Sequence, residues 1–184
     1  MSAPSVPTRC LLDKNVVRYA LAGLRHGPVR PLLPMEAGAL SLWWLAERRG
    51  VSLYITDASA HVLARLSAYR EVLTFLAAVS VLSPGPYARR WARRAREVAS
   101  LAPEDAMMLA LASFGTDDSG AILGVSVLAT YDQGLIRTLQ DRRPILEDRL
   151  QVMLAALNLP FRSVGLPRVM SPDDLVRNWE GSAS

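Results

Sequence analysis

Cysteine is nearly missing from this chain of 184 residues: Cys10 stands alone. A single cysteine cannot close an internal disulfide, which excludes a small scaffold held by crossbridges. Cys10 lies inside an apolar run and reads as a small buried hydrophobe. Long hydrophobic runs are missing too. No stretch reaches the roughly 18 to 20 apolar residues that a membrane span needs. The longest candidate, Glu71 to Leu82, is short and flanked by charge. The first residues, Met1 to Thr8, are small, polar and proline-containing, without the apolar centre of a signal peptide. These absences lead to the expectation of a cytoplasmic protein with no membrane partner. Lysine is almost absent (Lys14), so arginine supplies nearly all of the basic charge.

What is present points to one folded domain. Hydrophobic residues make up 51% of the chain and charged residues 21%, a balance that argues against disorder and provides for a sizeable core. The expected division is a disordered lead-in at 1–8, one domain at 9–180 and a frayed tail at 181–184. The net charge of +4 is compatible with a polyanionic partner without establishing one.

The alternation of patterns sets the fold class. Strands are expected at Arg9 to Asp13, Val51 to Thr56, Val79 to Leu82, Val125 to Ala129 and Arg168 to Met170. Helices are expected at Asn15 to Leu24, Met35 to Arg49, one long helix after Asp57-Ala58-Ser59 to about Ala78, Tyr87 to Val98, Glu104 to Phe114, Leu135 to Gln140 and Ile145 to Leu157. A last helix begins at Ser171-Pro172, where a serine cap precedes a first-turn proline. The segment Gly115 to Gly120 reads as a polar loop. Strands alternating with helices predict an α/β fold: a mostly parallel sheet of about five short strands with helices on both faces, in three layers.

In a parallel sheet the strand-to-helix turns share one edge. Asp13 ends the first strand, Asp132 follows the strand ending at Ala129, and Asp105 sits in the first turn of a helix. If that helix starts at the same edge, three carboxylates converge. Like charges in proximity raise one another's pKa, and a divalent cation relieves this. Hard oxygen ligands suit Mg²⁺ or Mn²⁺ and phosphate chemistry. The alternative for each aspartate is helix-terminus stabilisation, worth about 0.3 to 1 kcal/mol with no function attached.

The residues that carry these carboxylates resemble the PIN-domain nucleases over most of the chain. "LLDKNVV" at Leu11 to Val17 is similar to the family's opening with its first metal-binding aspartate. "EDAMMLALAS" resembles the helix with a central acid, and "LATYDQGLI" the strand-plus-acid element, with Thr130 beside Asp132. "PRVMSPDDLV" resembles the closing strand and helix start. The resemblance implies a PIN-like fold and a Mg²⁺- or Mn²⁺-dependent endoribonuclease with Asp13, Asp105 and Asp132 as catalytic metal ligands. It also implies an RNA substrate, a homodimer and, as for many relatives, the toxin role in a toxin–antitoxin pair with an antitoxin protein as partner. One position departs from the family: where it carries a glutamate after the second strand, this chain has His61. His61 or Asp57 would then be auxiliary, with Thr130 and Asn15 beside the acids.

At 100° per residue, Arg89, Arg90, Arg93, Arg94 and Arg96 fall on one half of their helix. Tyr87, Trp91, Ala95 and Val98 fall on the other. The arginines form either a solvated face or an RNA-binding surface whose forked side chains suit phosphate oxygens. Glu36 matches no family motif and reads as first-turn stabilisation. Two other functions stay open. One is a non-catalytic PIN-like module that binds RNA or protein through a degenerate acidic site. The weaker one is a phosphatase or nucleotide-binding protein, against which stand the missing Gly-rich loop and Asp13-Lys14-Asn15 in place of a D-x-D pair.

Overall fold

A computed structural model describes residues 8–121, 124–158, 161 and 164–181. The sheet is built from β1 (Arg9–Leu12), β2 (Ser52–Thr56), β3 (Ser80–Pro84), β4 (Gly115–Thr116), β5 (Val127–Ala129) and β6 (Arg168–Met170). Their order is β4-β3-β2-β1-β5-β6, and every pairing is parallel except β3 with β4. The expected mostly parallel α/β sheet is therefore present.

The helices are α1 (Lys14–His26), α2 (Pro34–Arg49), α3 (Asp57–Ala64), α4 (Arg70–Ala78), α5 (Ala88–Ala99), α6 (Pro103–Phe114), α7 (Gln133–Asp141), α8 (Arg143–Leu154) and α9 (Pro172–Gly181). Alternation along the strands places them in two layers. Leu11, Tyr54, Leu82, Leu128 and Val169 point to one side and pack with α5, α6, α7 and α8 around Trp91 and Phe114. Cys10, Leu12, Leu53, Ile55, Val127 and Ala129 point to the other and pack with α1, α2, α4 and α9 around Leu42 and Phe75. A strand buried on both faces reads as a continuous apolar run, which is why β1 and β5 stand out in the sequence. Burial pushes the Cys10 thiol up to about 12, which leaves it un-ionised and inert. No helix among the described residues is long and apolar enough to cross a membrane.

Three expectations are corrected. The long helix after Asp57 is two helices separated by a turn at 65–69. The turn resets the phase, so Val72 and Phe75 are buried while Leu66 and Leu73 are exposed. The polar loop after Phe114 contains β4: Gly85 N–H donates to Phe114 O, and a Cβ on Gly85 would lie 2.1 Å from that oxygen. This close backbone approach adds a sixth, antiparallel edge strand. Helix α1, expected to end at Leu24, runs on to His26, and α2 lies close to its Gly23. A Cβ there would stand 2.7 Å from Leu40 Cδ1. The expected lead-in and tail lie outside the described residues apart from Thr8 and Gly181. Thr8 O already accepts from Ser52 N at 3.0 Å, and Gly181 ends α9.

The connectivity has a functional consequence. From β1 the chain moves outward through β2 to β3, then returns to lay β5 and β6 on the other side of β1. The order reverses between β1 and β5. In open parallel sheets, ligands bind outside the carboxyl ends of the strands at such a switch point.

Candidate active site

Asp13 follows the last residue of β1 and is buried. Its backbone is tied to the neighbouring strand, with Asp13 N donating to Ala129 O at 2.9 Å. Asp13 occupies the N-cap position of α1, yet its side chain makes no capping hydrogen bond. Its Oδ2 instead accepts from Thr130 Oγ1 at 2.7 Å, with Thr130 fully buried at the end of β5. The capping explanation therefore does not account for this carboxylate. A buried carboxylate held by one hydroxyl, with no donor among the described residues for its other oxygen, is a costly feature unless something else uses it.

The same Thr130 hydroxyl accepts from Asp132 N at 3.1 Å and so fixes the turn that carries Asp132. Asp132 does cap α7, accepting from Leu135 N through Oδ1 at 2.9 Å. Asp105 lies in the first turn of α6, after Pro103, and caps nothing. Asp13, Asp105 and Asp132 line one open cleft of about 530 Å³ together with Lys14, Asn15, Glu104, Met108 and Leu135. Burial pushes the Asp105 carboxyl above its ordinary range, and the charges of Asp132 and Asp13 push it further. The three acids thus share an electrostatic field.

Two cleft residues escaped the reading of the sequence. Lys14 and Glu104 form an ion pair at the exposed mouth, which raises the lysine and lowers the carboxylate. The pair spans 90 positions. Its only local signal was adjacency, each residue being next to an expected aspartate.

The auxiliary residues are dispersed. Thr130 and Asn15 are at the acids as described. Asp57 is exposed at the start of α3, where Oδ1 accepts from Ala58 N at 2.8 Å. It lines a neighbouring groove with Lys14, Glu104 and Arg89. Thr56 caps that helix, accepting from Ser59 N at 3.1 Å. His61 is exposed on α3 with Nε2 3.1 Å from Arg65 Nη2, and it does not line the acidic cleft. Glu36 has the structural role expected of it: it accepts from Leu33 N and from both Nη atoms of Arg30. Of the arginines on α5, Arg89, Arg90, Arg93 and Arg96 are exposed and Arg94 is half-buried.

The donor set in the cleft is carboxylate and amide oxygen, the chemistry of a hard divalent cation. Among the described residues no group of three or more His, Cys, Asp or Glu side chains is gathered so as to hold a metal ion. The acids line one cleft without closing on one point. A scan of protein-family models, a search of curated proteins and a search of solved structures found no match to this chain.

Proposed function

We propose that the chain is a PIN-type, metal-dependent ribonuclease that hydrolyses RNA phosphodiester bonds in the cleft of Asp13, Asp105 and Asp132. The observation that carries this reading is the buried Asp13 carboxylate. It caps no helix, sits where the strand order reverses, and faces a cleft in which two other aspartates raise a common negative potential. Acids that repel one another at a strand edge favour a cation, and Mg²⁺ or Mn²⁺ fits their oxygen chemistry. When bound, such an ion lowers the pKa of a coordinated water and offsets charge on a phosphoryl oxygen.

The chain's own residues have distinct tasks in this reading. Thr130 fixes the Asp13 carboxylate through Oδ2 and leaves Oδ1 for a ligand. The Leu135 N–H does the same for Asp132 through Oδ1 and leaves Oδ2. Asp105 is unrestrained by any hydrogen bond to the described residues and supplies the adjustable ligand that closes the site. Lys14, on the rim, moves from Glu104 to a substrate phosphate as the strand enters.

The test is cleavage of a fluorescent single-stranded RNA by the full chain. Activity with Mn²⁺ or Mg²⁺, abolished by chelator and by Asp13→Asn, supports the reading. The open arrangement of the acids favours a second reading, an RNA-binding module without catalysis. That reading predicts binding that neither chelator nor Asp13→Asn alters, and no cleavage.

A further inference from the structure

The basic face of α5 is not uniform. Arg89 lines the groove beside the cleft, together with Lys14, Asp57 and Glu104. About 7.5 Å further along the helix, at 1.5 Å per residue, Arg94 turns toward α8 and is half-buried. Helices α5 and α8 pack together within the core on that face. Arg94 lies within electrostatic reach of Arg90, Arg93 and Arg149, the last on α8. Burial and then these three neighbours push its guanidinium down, and Glu97 opposes them most weakly. The Nε of Arg149 is buried and has no hydrogen-bond partner. Among the described residues, neither an ion pair nor a side-chain hydrogen bond engages Arg90, Arg93, Arg94 or Arg149. Of the acids near them in sequence, Glu97 opposes the repulsion at Arg94 only weakly, Asp148 is exposed and forms no ion pair among the described residues, and Glu147 is paired with Arg143 at 2.7 Å.

Such an arrangement is unfavourable as it stands. An arginine cannot shed its proton to relieve repulsion, as a lysine can. A buried donor without a partner carries a desolvation penalty. An anion that accepts from several guanidiniums at once offsets both costs, and phosphate oxygens match the guanidinium fork.

We infer that Arg90, Arg93, Arg94 and Arg149 form a phosphate-binding site at the α5–α8 junction, outside the acidic cleft, that holds the backbone of a polynucleotide strand. The continuity of basic side chains from Lys14 through Arg89 to Arg94 favours an extended polyanion over a single free phosphate. The identity of the strand as RNA rests on the proposed ribonuclease reading; the existence of the site does not.

The experiment uses the full chain in EDTA, so that binding is measured without metal-dependent cleavage. Fluorescence anisotropy of an end-labelled single-stranded RNA is followed across a salt series for wild type, Arg94→Gln, Arg149→Gln, the double variant and Arg70→Gln. The double variant is expected to bind about tenfold or more weakly and to lose about 1.4 from the salt slope, at roughly 0.7 per phosphate contact. Arg70→Gln, an exposed arginine at the start of α4 in the opposite helix layer, is expected to bind as wild type. Arg94→Gln is expected to melt at a higher temperature than wild type, because repulsion is relieved. Binding by the double variant within twofold of wild type, with an unchanged slope, would overturn the proposal. So would weaker binding accompanied by a lower melting temperature in both single variants, which would mark the arginines as structural. Competition by inorganic tripolyphosphate as strong, phosphate for phosphate, as competition by unlabelled RNA would overturn the polynucleotide assignment. A wild type that binds RNA as described but cleaves none with Mn²⁺ would overturn the ribonuclease reading and leave this site standing.

Discussion

Replacing Thr130 by valine removes one hydroxyl and two hydrogen bonds while keeping the shape of the side chain. The first bond, to Asp13 Oδ2 at 2.7 Å, is to a carboxylate in a buried setting. Bonds of that kind contribute about 1.5 to 3 kcal/mol. The second, from Asp132 N at 3.1 Å, is between neutral groups and contributes about 0.5 to 1.5 kcal/mol. Asp13 lines an open cleft, so water can approach its carboxylate in the variant, which places the loss near the lower end at about 2 kcal/mol. In urea, with a slope of about 2 kcal/mol/M, this moves the unfolding midpoint down by about 1 M. Thr130→Ser keeps the hydroxyl and should recover most of the loss. A double-mutant cycle with Asp13→Ala should yield a coupling of about 1 kcal/mol or more, since the two residues are in contact. A Thr130→Val protein within about 0.5 kcal/mol of wild type, the range of an ordinary surface substitution, would refute the assignment of Thr130 as the group that holds Asp13. Equal damage from the serine and valine variants would refute it as well.

Two further outcomes follow from the charges. Burial and the neighbouring aspartates raise the Asp105 carboxyl in the folded state, so its ionised form opposes folding once the pH exceeds that raised value. Asp105→Asn should therefore melt above wild type at neutral pH and lose RNA cleavage. The difference should vanish at a pH below the unfolded-state value, where the wild-type carboxyl is protonated in both states. Glu36 is shifted the other way: hydrogen bonds from Arg30 and Leu33 N lower it to about 2 from an ordinary value of 4.5. Its contribution is present above pH 4.5 and is lost as the pH falls toward about 2. Urea midpoints across that window should fall less for Glu36→Gln than for wild type, and equal slopes would contradict the assignment.

Much of the site was legible because it is built at strand ends. Apolar runs buried on both faces marked β1 and β5, and with them Asp13 and Asp132 at the strand ends; Thr130 was singled out only by the family resemblance. Parallel order then brought Thr130 against Asp13 across 117 positions. The break between α3 and α4 was not legible, because apolar residues at helical spacing continue through the turn at 65–69 and only their burial shows the change of phase. Strand β4 has two residues and depends on the approach of Gly85 to Phe114, which no local pattern announces. The Lys14–Glu104 pair and the convergence of Arg94 with Arg149 depend on which helices become neighbours. The local patterns that identify a helix do not specify its neighbours. His61, expected beside the acids from the family pattern, lies instead on an exposed face of α3 next to Arg65.

The central claim is that Asp13, Asp105 and Asp132 together take up a divalent cation. Electron paramagnetic resonance of Mn²⁺ titrated into the full chain tests this without reference to RNA or turnover. The free-ion signal should be lost on adding wild type and His61→Ala, and should persist with Asp13→Asn and Asp105→Asn. Wild type that leaves the free signal unchanged, or an Asp13→Asn protein that removes it as wild type does, would contradict the account.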